Sequence, residues 1–349
     1  MLFKIKKNFI VNSINSSKRQ IFHNLLGVLL IIISLAGYGH AQNVPSNLFG
    51  VIEVGASGIK GAVVQTSSNK DEMQVINKLE PDNKTPINPD TLNETGEAIN
   101  KMFLTIKDNS VPAEHIYIVG SSSVAKVDHR EKLKNLVQEK TGKEMDFINA
   151  EQEATLIFNG IVPLNQRGQV LTVDIGSGNT KGAYIEKENL LTFELAWGTK
   201  SFTKKVDDEK RTDDFKNIAG NLRRKILIPQ IQEIVKQKSR LKSLNQVYLS
   251  GGIVWAMTTI MYPDNQAKLI KITAEDINVF YDKLNKNPES LNPGLSKIQQ
   301  VFSVNQLVAG AEILKAISDE LCFNSKTLFF NKDALHAWPL GYIEGKVNK

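Results

Sequence analysis

Two stretches of this 349-residue chain set the same chemistry at the same intervals: "LFGVIEVGASGIKGAVVQ", beginning at Leu48, and "VLTVDIGSGNTKGAYIE", beginning at Val170. Aligned at a constant offset of 121 residues, Glu53 faces Asp174, Gly55 faces Gly176 and Lys60 faces Lys181. Each copy ends an apolar, β-forming run in a carboxylate, turns through small residues and resumes as a strand behind a lysine. The first turn carries Gly55, Ser57 and Gly58; the second carries Gly176, Ser177, Gly178 and Asn179. A carboxylate can hold a divalent cation or its waters, backbone N–H groups at glycine turns can cradle phosphate oxygens, and an ammonium offsets phosphate charge. One such hairpin is ordinarily no more than a tight turn. Two in one register, facing each other across a cleft, would grip a polyphosphate from both sides.

The elements around the two hairpins read as mixed strands and helices, which predicts an α/β architecture. In "NQVYLSGGIVWAMTTI" a strand runs into Gly251 and Gly252 and then into an apolar helical pattern, a layout that brings a ligand to the N–H groups of a helix N-terminus. Between the halves, "INAEQEATLIFNGIVP" predicts a helix that Asn149 caps with Gln152 three residues on, and that Pro163 ends. Ala150, Ala154, Ile157 and Ile161 form its apolar stripe, with Glu151 and Glu153 on opposite edges, so only one carboxylate easily faces a given cleft. A polar stretch from Asn69 to Asn93 precedes a helix around Glu97–Ile106 and the strand "HIYIVG". Residues 303–320 are helical by period, and "TLFFNKDALHAWPLGYI" adds a strand and a terminal turn or helix. The lysine-rich region Lys216–Lys242 reads as a solvated helical face, and His336 and Trp338 as packing residues.

Composition narrows the function classes. Residues 1–41 hold Lys4, Lys6, Lys7, Lys18 and Arg19 ahead of the apolar run "LLGVLLIIISLAGYG" and a small-residue site at Gly39-His40-Ala41, the pattern of a secretory signal peptide; an uncleaved anchor is the alternative. The segment takes five of the chain's 43 Lys and Arg and none of its 37 Asp and Glu, so the formal charge falls from +6 to about +1 without it. That gives no case for nucleic-acid binding. The single cysteine, Cys322, has no partner for an internal disulfide and reads as a small core residue.

With these motifs assembled, the chain resembles the exopolyphosphatase/guanosine pentaphosphate phosphatase (Ppx/GppA) family of the actin-like ATPase superfamily. The resemblance runs from about Leu48 to the C-terminus, through the first loop, "IYIVGSSSVAKV", "INAEQEATLIFNGIV", "VDIGSGNTKGA", "LSGGIVWAM" and "LVAGAEILKAI". It implies two actin-like (ribonuclease H-like) domains, 42–148 and 149–349, with the duplicated phosphate-binding hairpins lining an interdomain cleft. It also implies Glu153 as the catalytic glutamate that activates water and Glu53 and Asp174 as organisers of Mg²⁺ or Mn²⁺. Phosphate would lie on Gly55, Ser57, Gly58, Lys60, Ser122, Lys126, Gly176, Ser177, Gly178, Asn179, Lys181, Gly251 and Gly252. The chain departs from the family at Glu53 (aspartate), Ala56 (serine), Ala125 (arginine, with Lys126 adjacent), Asn179 (serine) and Lys181 (glutamate). The last exchange turns a negative position positive and favours anion over metal. The expectation is an exported phosphoanhydride hydrolase, periplasmic or secreted, acting on polyphosphate or a nucleotide, off the membrane after signal cleavage and compatible with a homodimer. A non-catalytic phosphate- or nucleotide-binding protein and an apyrase-like secreted nucleotidase remain as alternatives, with a kinase behind them.

Overall fold

The computed structural model describes residues 47–56, 58–66, 73–79, 87, 89–209, 214–265, 267–332 and 337–347. The expected signal peptide and Ser57 lie outside them. Among the described residues the chain forms two sheets. The strands are β1 (Leu48–Gly55), β2 (Gly58–Thr66), β3 (Met73–Leu79), β4 (Ile116–Gly120), β5 (Met145–Phe147), β6 (Val170–Ile175), β7 (Thr180–Glu186), β8 (Asn189–Leu195), β9 (Gln246–Ser250), β10 (Leu269–Ile272) and β11 (Thr327–Asn331). The first sheet has the order β3-β2-β1-β4-β5 and the second β10-β11-β9-β6-β7-β8.

The duplication is structural as well as sequential. β1 and β2 pair antiparallel with Glu53 opposite Lys60, and β6 and β7 pair antiparallel with Asp174 opposite Lys181. Each hairpin's first strand then meets a parallel neighbour, β4 beside β1 and β9 beside β6, placing Val54 level with Gly120 and Asp174 level with Ser250. Parallel neighbours need long crossovers. The loops leaving β4 and β9 therefore arrive at the same sheet ends as the two turns, where open α/β sheets present ligand sites.

Helices supply the other layers: α1 (Leu92–Asp108), α2 (Arg130–Thr141), α3 (Ala150–Ile161), α4 (Thr199–Glu209), α5 (Phe215–Leu222), α6 (Ile228–Gln237), α7 (Gly252–Met261), α8 (Ala274–Lys286), α9 (Gly294–Ile298), α10 (Val304–Glu320) and α11 (Ala337–Val347). α1 and α2 bury Ile99, Ile106, Leu133 and Val137 against Ile52, Ile116 and Ile118 of the first sheet. α7 and α10 pack on the second sheet around Leu249, Ile253 and Leu314. A third apolar cluster joins residues of both sheets, Val51, Val119, Val170 and Ala183, to Phe158 of α3 and to Trp338 and Ile343 of α11. At about 1.5–3 kcal/mol for each large side chain fully buried, this cluster holds α3 and α11 firmly between the sheets. α11 thus returns from the end of the chain to the first half, where Tyr342 donates to Asp146 Oδ2 on β5.

The polar segment after the first hairpin contains β3, an edge strand alternating between exposed and partly buried residues. Cys322 is partly buried at a positive φ of 55°, rather than a core residue. No helix among the described residues is long and apolar enough to cross a membrane.

Candidate functional site

A cavity of about 590 Å³ opens between the two hairpins. Glu53, Gly55, Gly58, Lys60, Glu153, Asp174, Gly176, Ser177, Gly178, Asn179, Lys181, Gly251 and Gly252 all line it. Ser122 and Lys126 do not; Ser121 and Ser123 stand on the wall in their place. The Ser122 N–H instead donates to Glu153 Oε2 at 3.0 Å, and Lys126 donates to Glu194 Oε1 at 2.8 Å on an exposed rim.

The second turn is built to present N–H groups. The N–H of Thr199, at the start of α4, donates to Gly176 O at 2.9 Å, while Lys200 and Ser201 donate to Ser177 O at 2.8 and 3.1 Å. In a trans peptide the carbonyl and the following N–H point in opposite directions. With the carbonyls of Gly176 and Ser177 committed to the α4 N-terminus, the N–H groups of Ser177 and Gly178 project away from that helix, on a loop that lines the cavity. Gly198 makes this close docking possible, since a Cβ there would come within 2.7 Å of Asn179 N. Gly251 is obligatory for a related reason: its φ is +98°, and a Cβ would overlap the Ile175 carbonyl.

The three carboxylates differ sharply in surroundings. α3 begins with the expected capping box, Asn149 with Gln152, which leaves Glu151 exposed and turns Glu153 inward to 5% exposure. Lys181 Nζ lies 3.0 Å from Glu153 Oε1, 3.1 Å from Asp174 Oδ2 and 3.1 Å from Asn179 Oδ1. Ser250 Oγ donates to Asp174 Oδ1 at 2.6 Å. Burial pulls the Lys181 ammonium down, but Asp174 and Glu153 outweigh it and hold its pKa above the ordinary value. Glu53 has no such partner. Its Oε2 is buried without a hydrogen bond, and burial, opposed by Lys60 and reinforced by Glu153 and Asp174, pushes its pKa up to about 6.

Mg²⁺ or Mn²⁺ held by Glu53 and Asp174 does not fit this donor set. Lys181 Nζ already fills the space between Asp174 and Glu153, and Ser250 and Ser122 satisfy the far oxygens of the same pair. No group of three or more His, Cys, Asp or Glu side chains able to hold an ion occurs among the described residues.

Several cavity residues carry no sequence signal of their own. Trp338, read from the sequence as packing, is buried in the third apolar cluster and also lines the cavity. Lys200 reaches across to donate to Ala56 O at 3.3 Å, joining α4 to the first turn. Trp255 and Phe302, with ring centroids 6.3 Å apart, line the end beside Gly251 and Gly252. Asn179 Nδ2 donates to Ser122 Oγ at 3.1 Å and to Glu194 Oε1 at 2.8 Å, fastening the second turn to the loop after β4. Burial opposes it, but hydrogen bonds from Lys126 and Asn179 hold the Glu194 carboxyl below its ordinary pKa.

Two α/β halves that present equivalent hairpins to a shared cleft define an actin-like, two-domain fold. Residues 58–329 match the model of the Ppx/GppA phosphatase family, and the chain belongs to that family. It is similar in fold to an exopolyphosphatase from Cytophaga hutchinsonii, at a TM-score of 0.66 and 15% identity over 86% of this chain and 98% of that one. A Ppx/GppA family member from Aquifex aeolicus is similar at a TM-score of 0.63 and 15% identity, over 86% of this chain and 99% of that one. Retrograde regulation protein 2 of Saccharomyces cerevisiae is 19% identical over 294 residues, 75% of this chain; the match spans about half (49%) of that relative's length.

Proposed function

We propose that the chain binds the terminal phosphates of inorganic polyphosphate or of a nucleotide polyphosphate in this cleft, outside the cytoplasm, and releases the end phosphate. The observation that carries the reading is the convergence of the paired turns, Lys60, Lys200 and Glu153 on one cavity. Family membership supports phosphatase chemistry, and the composition of residues 1–41 supports export. Lys60, Lys200 and the N–H groups of Ser177 and Gly178 fix the phosphate chain and offset its charge. Water oxygen attacks the terminal phosphorus, the bridging P–O bond breaks toward the shortened chain, and the water proton passes to Glu153. Each Glu153 oxygen already accepts one donor, and a carboxylate oxygen has two lone pairs, so a water can still be held there.

The ion pair with Lys181 also favours a second reading, binding of the same phosphates without turnover. Phosphate release from polyphosphate, ATP, GTP and pyrophosphate, measured with and without divalent ions beside calorimetric binding, separates the two. Glu153→Gln is expected to cut turnover by ~10²–10⁴-fold while pyrophosphate stays bound. Glu151→Gln, on the exposed face of α3, is expected to leave turnover near wild type. Binding without release in the wild-type chain selects the second reading, and binding of none of the four compounds refutes the proposal.

A further inference from the structure

Lys181 is committed to its neighbours. Its Nζ is ion-paired with Glu153 Oε1 at 3.0 Å and Asp174 Oδ2 at 3.1 Å and donates to Asn179 Oδ1 at 3.1 Å. The residue is 2% exposed, so it acts on a ligand through its charge and not by reaching for it. The position of that charge is built in. Cross-strand register sets Lys181 opposite Asp174, and Asn179 is itself fixed by Ser122 and Glu194. Gly176 leaves room for it, since a Cβ there would come within 3.3 Å of Nζ.

The cavity wall carries Glu53, Glu153 and Asp174 against Lys60, Lys181 and Lys200. A phosphate chain arriving with its own dication would bring that charge up to an ammonium already neutralising two carboxylates. A bare chain would meet Lys60 and Lys200, with the charge of Asp174 and Glu153 partly offset by Lys181. We propose that Lys181 is a resident cation standing between Asp174 and Glu153, so that the cleft takes a phosphoanhydride free of divalent metal and not its metal complex. The inference rests on the reading of the cleft as a phosphoanhydride site.

Calorimetric titration of the full chain with pyrophosphate, in EDTA and in excess Mg²⁺, tests both together. Binding is expected in EDTA, with an apparent Kd raised by ~10-fold or more in Mg²⁺, which withdraws free pyrophosphate. Binding that requires Mg²⁺ overturns this inference and leaves the proposed site standing. Binding in neither buffer overturns both. A second measurement titrates Mn²⁺ alone, followed by electron paramagnetic resonance. The wild-type chain is expected to bind none in the cleft, whereas Lys181→Glu, or Lys181→Met should the first variant fail to fold, gains a site that Asp174→Asn removes again. A Mn²⁺ site in the wild-type chain that disappears in Asp174→Asn overturns the inference.

Discussion

Replacing Lys181 with methionine keeps most of the side chain's volume and deletes only the ammonium, so its consequence can be worked from the contacts. Glu153, at 5% exposure, and Asp174 would each lose a partner about 3 Å away and remain in place, because Ser122 and Ser250 still hold their other oxygens. Removing one member of a buried ion pair typically costs about 3–5 kcal/mol. For a chain of this size that corresponds to a fall in melting temperature of ~4–8 °C. The pH dependence carries the sign. In the wild-type chain the raised Lys181 pKa contributes stability that is fully present below about 10.5 and is lost only as pH rises past the folded value. Between pH 5 and 8 that contribution is constant. In the variant two unpaired carboxylates face each other, and a proton on either relieves the penalty. The gap between wild type and Lys181→Met should therefore widen as pH rises from 5 to 8, and adding Glu153→Gln should restore part of the loss. Denaturant titrations at both pH values measure it. A loss below about 1 kcal/mol, equal at both pH values, would refute the buried-pair argument.

The remaining expectations concern other residues of the same cleft. Glu53, raised from 4.5 to about 6, contributes about 2 kcal/mol of stability that is present below pH 4.5 and is lost as pH rises through about 6; Glu53→Gln should flatten that decline in denaturant titrations. Gly251→Ala forces a side chain into a left-handed backbone against the Ile175 carbonyl, and should cost more than about 2 kcal/mol or prevent soluble expression. Tyr342→Phe removes a hydrogen bond to a charged carboxylate, and thermal melts should show a loss of about 1.5–3 kcal/mol.

The parts of the site that repeat were the parts legible in the sequence. A carboxylate, a glycine turn and a lysine at a fixed offset predicted two equivalent hairpins, and cross-strand register pairs the same residues in both. The start of α3 was legible because a cap is a local hydrogen bond written by Asn149 and Gln152. β3 was not, since its half-exposed alternation "MQVINKL" sits in a polar stretch and depends on β2 for its pairing. Trp338 packs as its type predicts, but its place at the cavity depends on α11 folding back onto the first sheet, a contact spanning nearly the whole chain. Ser122 and Lys126, expected at the phosphate, do not line the cavity. Whether a side chain lines a wall or fastens two loops is decided by where the loop after β4 meets Asn179 and Glu194.

Register alone does not make the two hairpins equivalent in chemistry. Asp174 and Lys181 close into an ion pair that Glu153 joins from α3, whereas Glu53 feels Lys60 as a nearby charge and keeps an unbonded buried oxygen. The difference follows from neighbours and not from the hairpins. Ser250 beside Asp174 and Asn179 beside Lys181 fix both ends of the second pair, while beside Glu53 the parallel strand offers Val119, which has no polar side chain. The second hairpin has thus spent its charged groups on each other, while the N–H groups of Ser177 and Gly178 project away from α4. The first keeps its lysine available at the cavity wall and carries a carboxyl whose charge changes near pH 6. On the proposed reading, anion capture divides between the halves, with backbone dipoles on one side and an ammonium on the other, which suits a ligand with at least two linked anionic groups such as a phosphoanhydride.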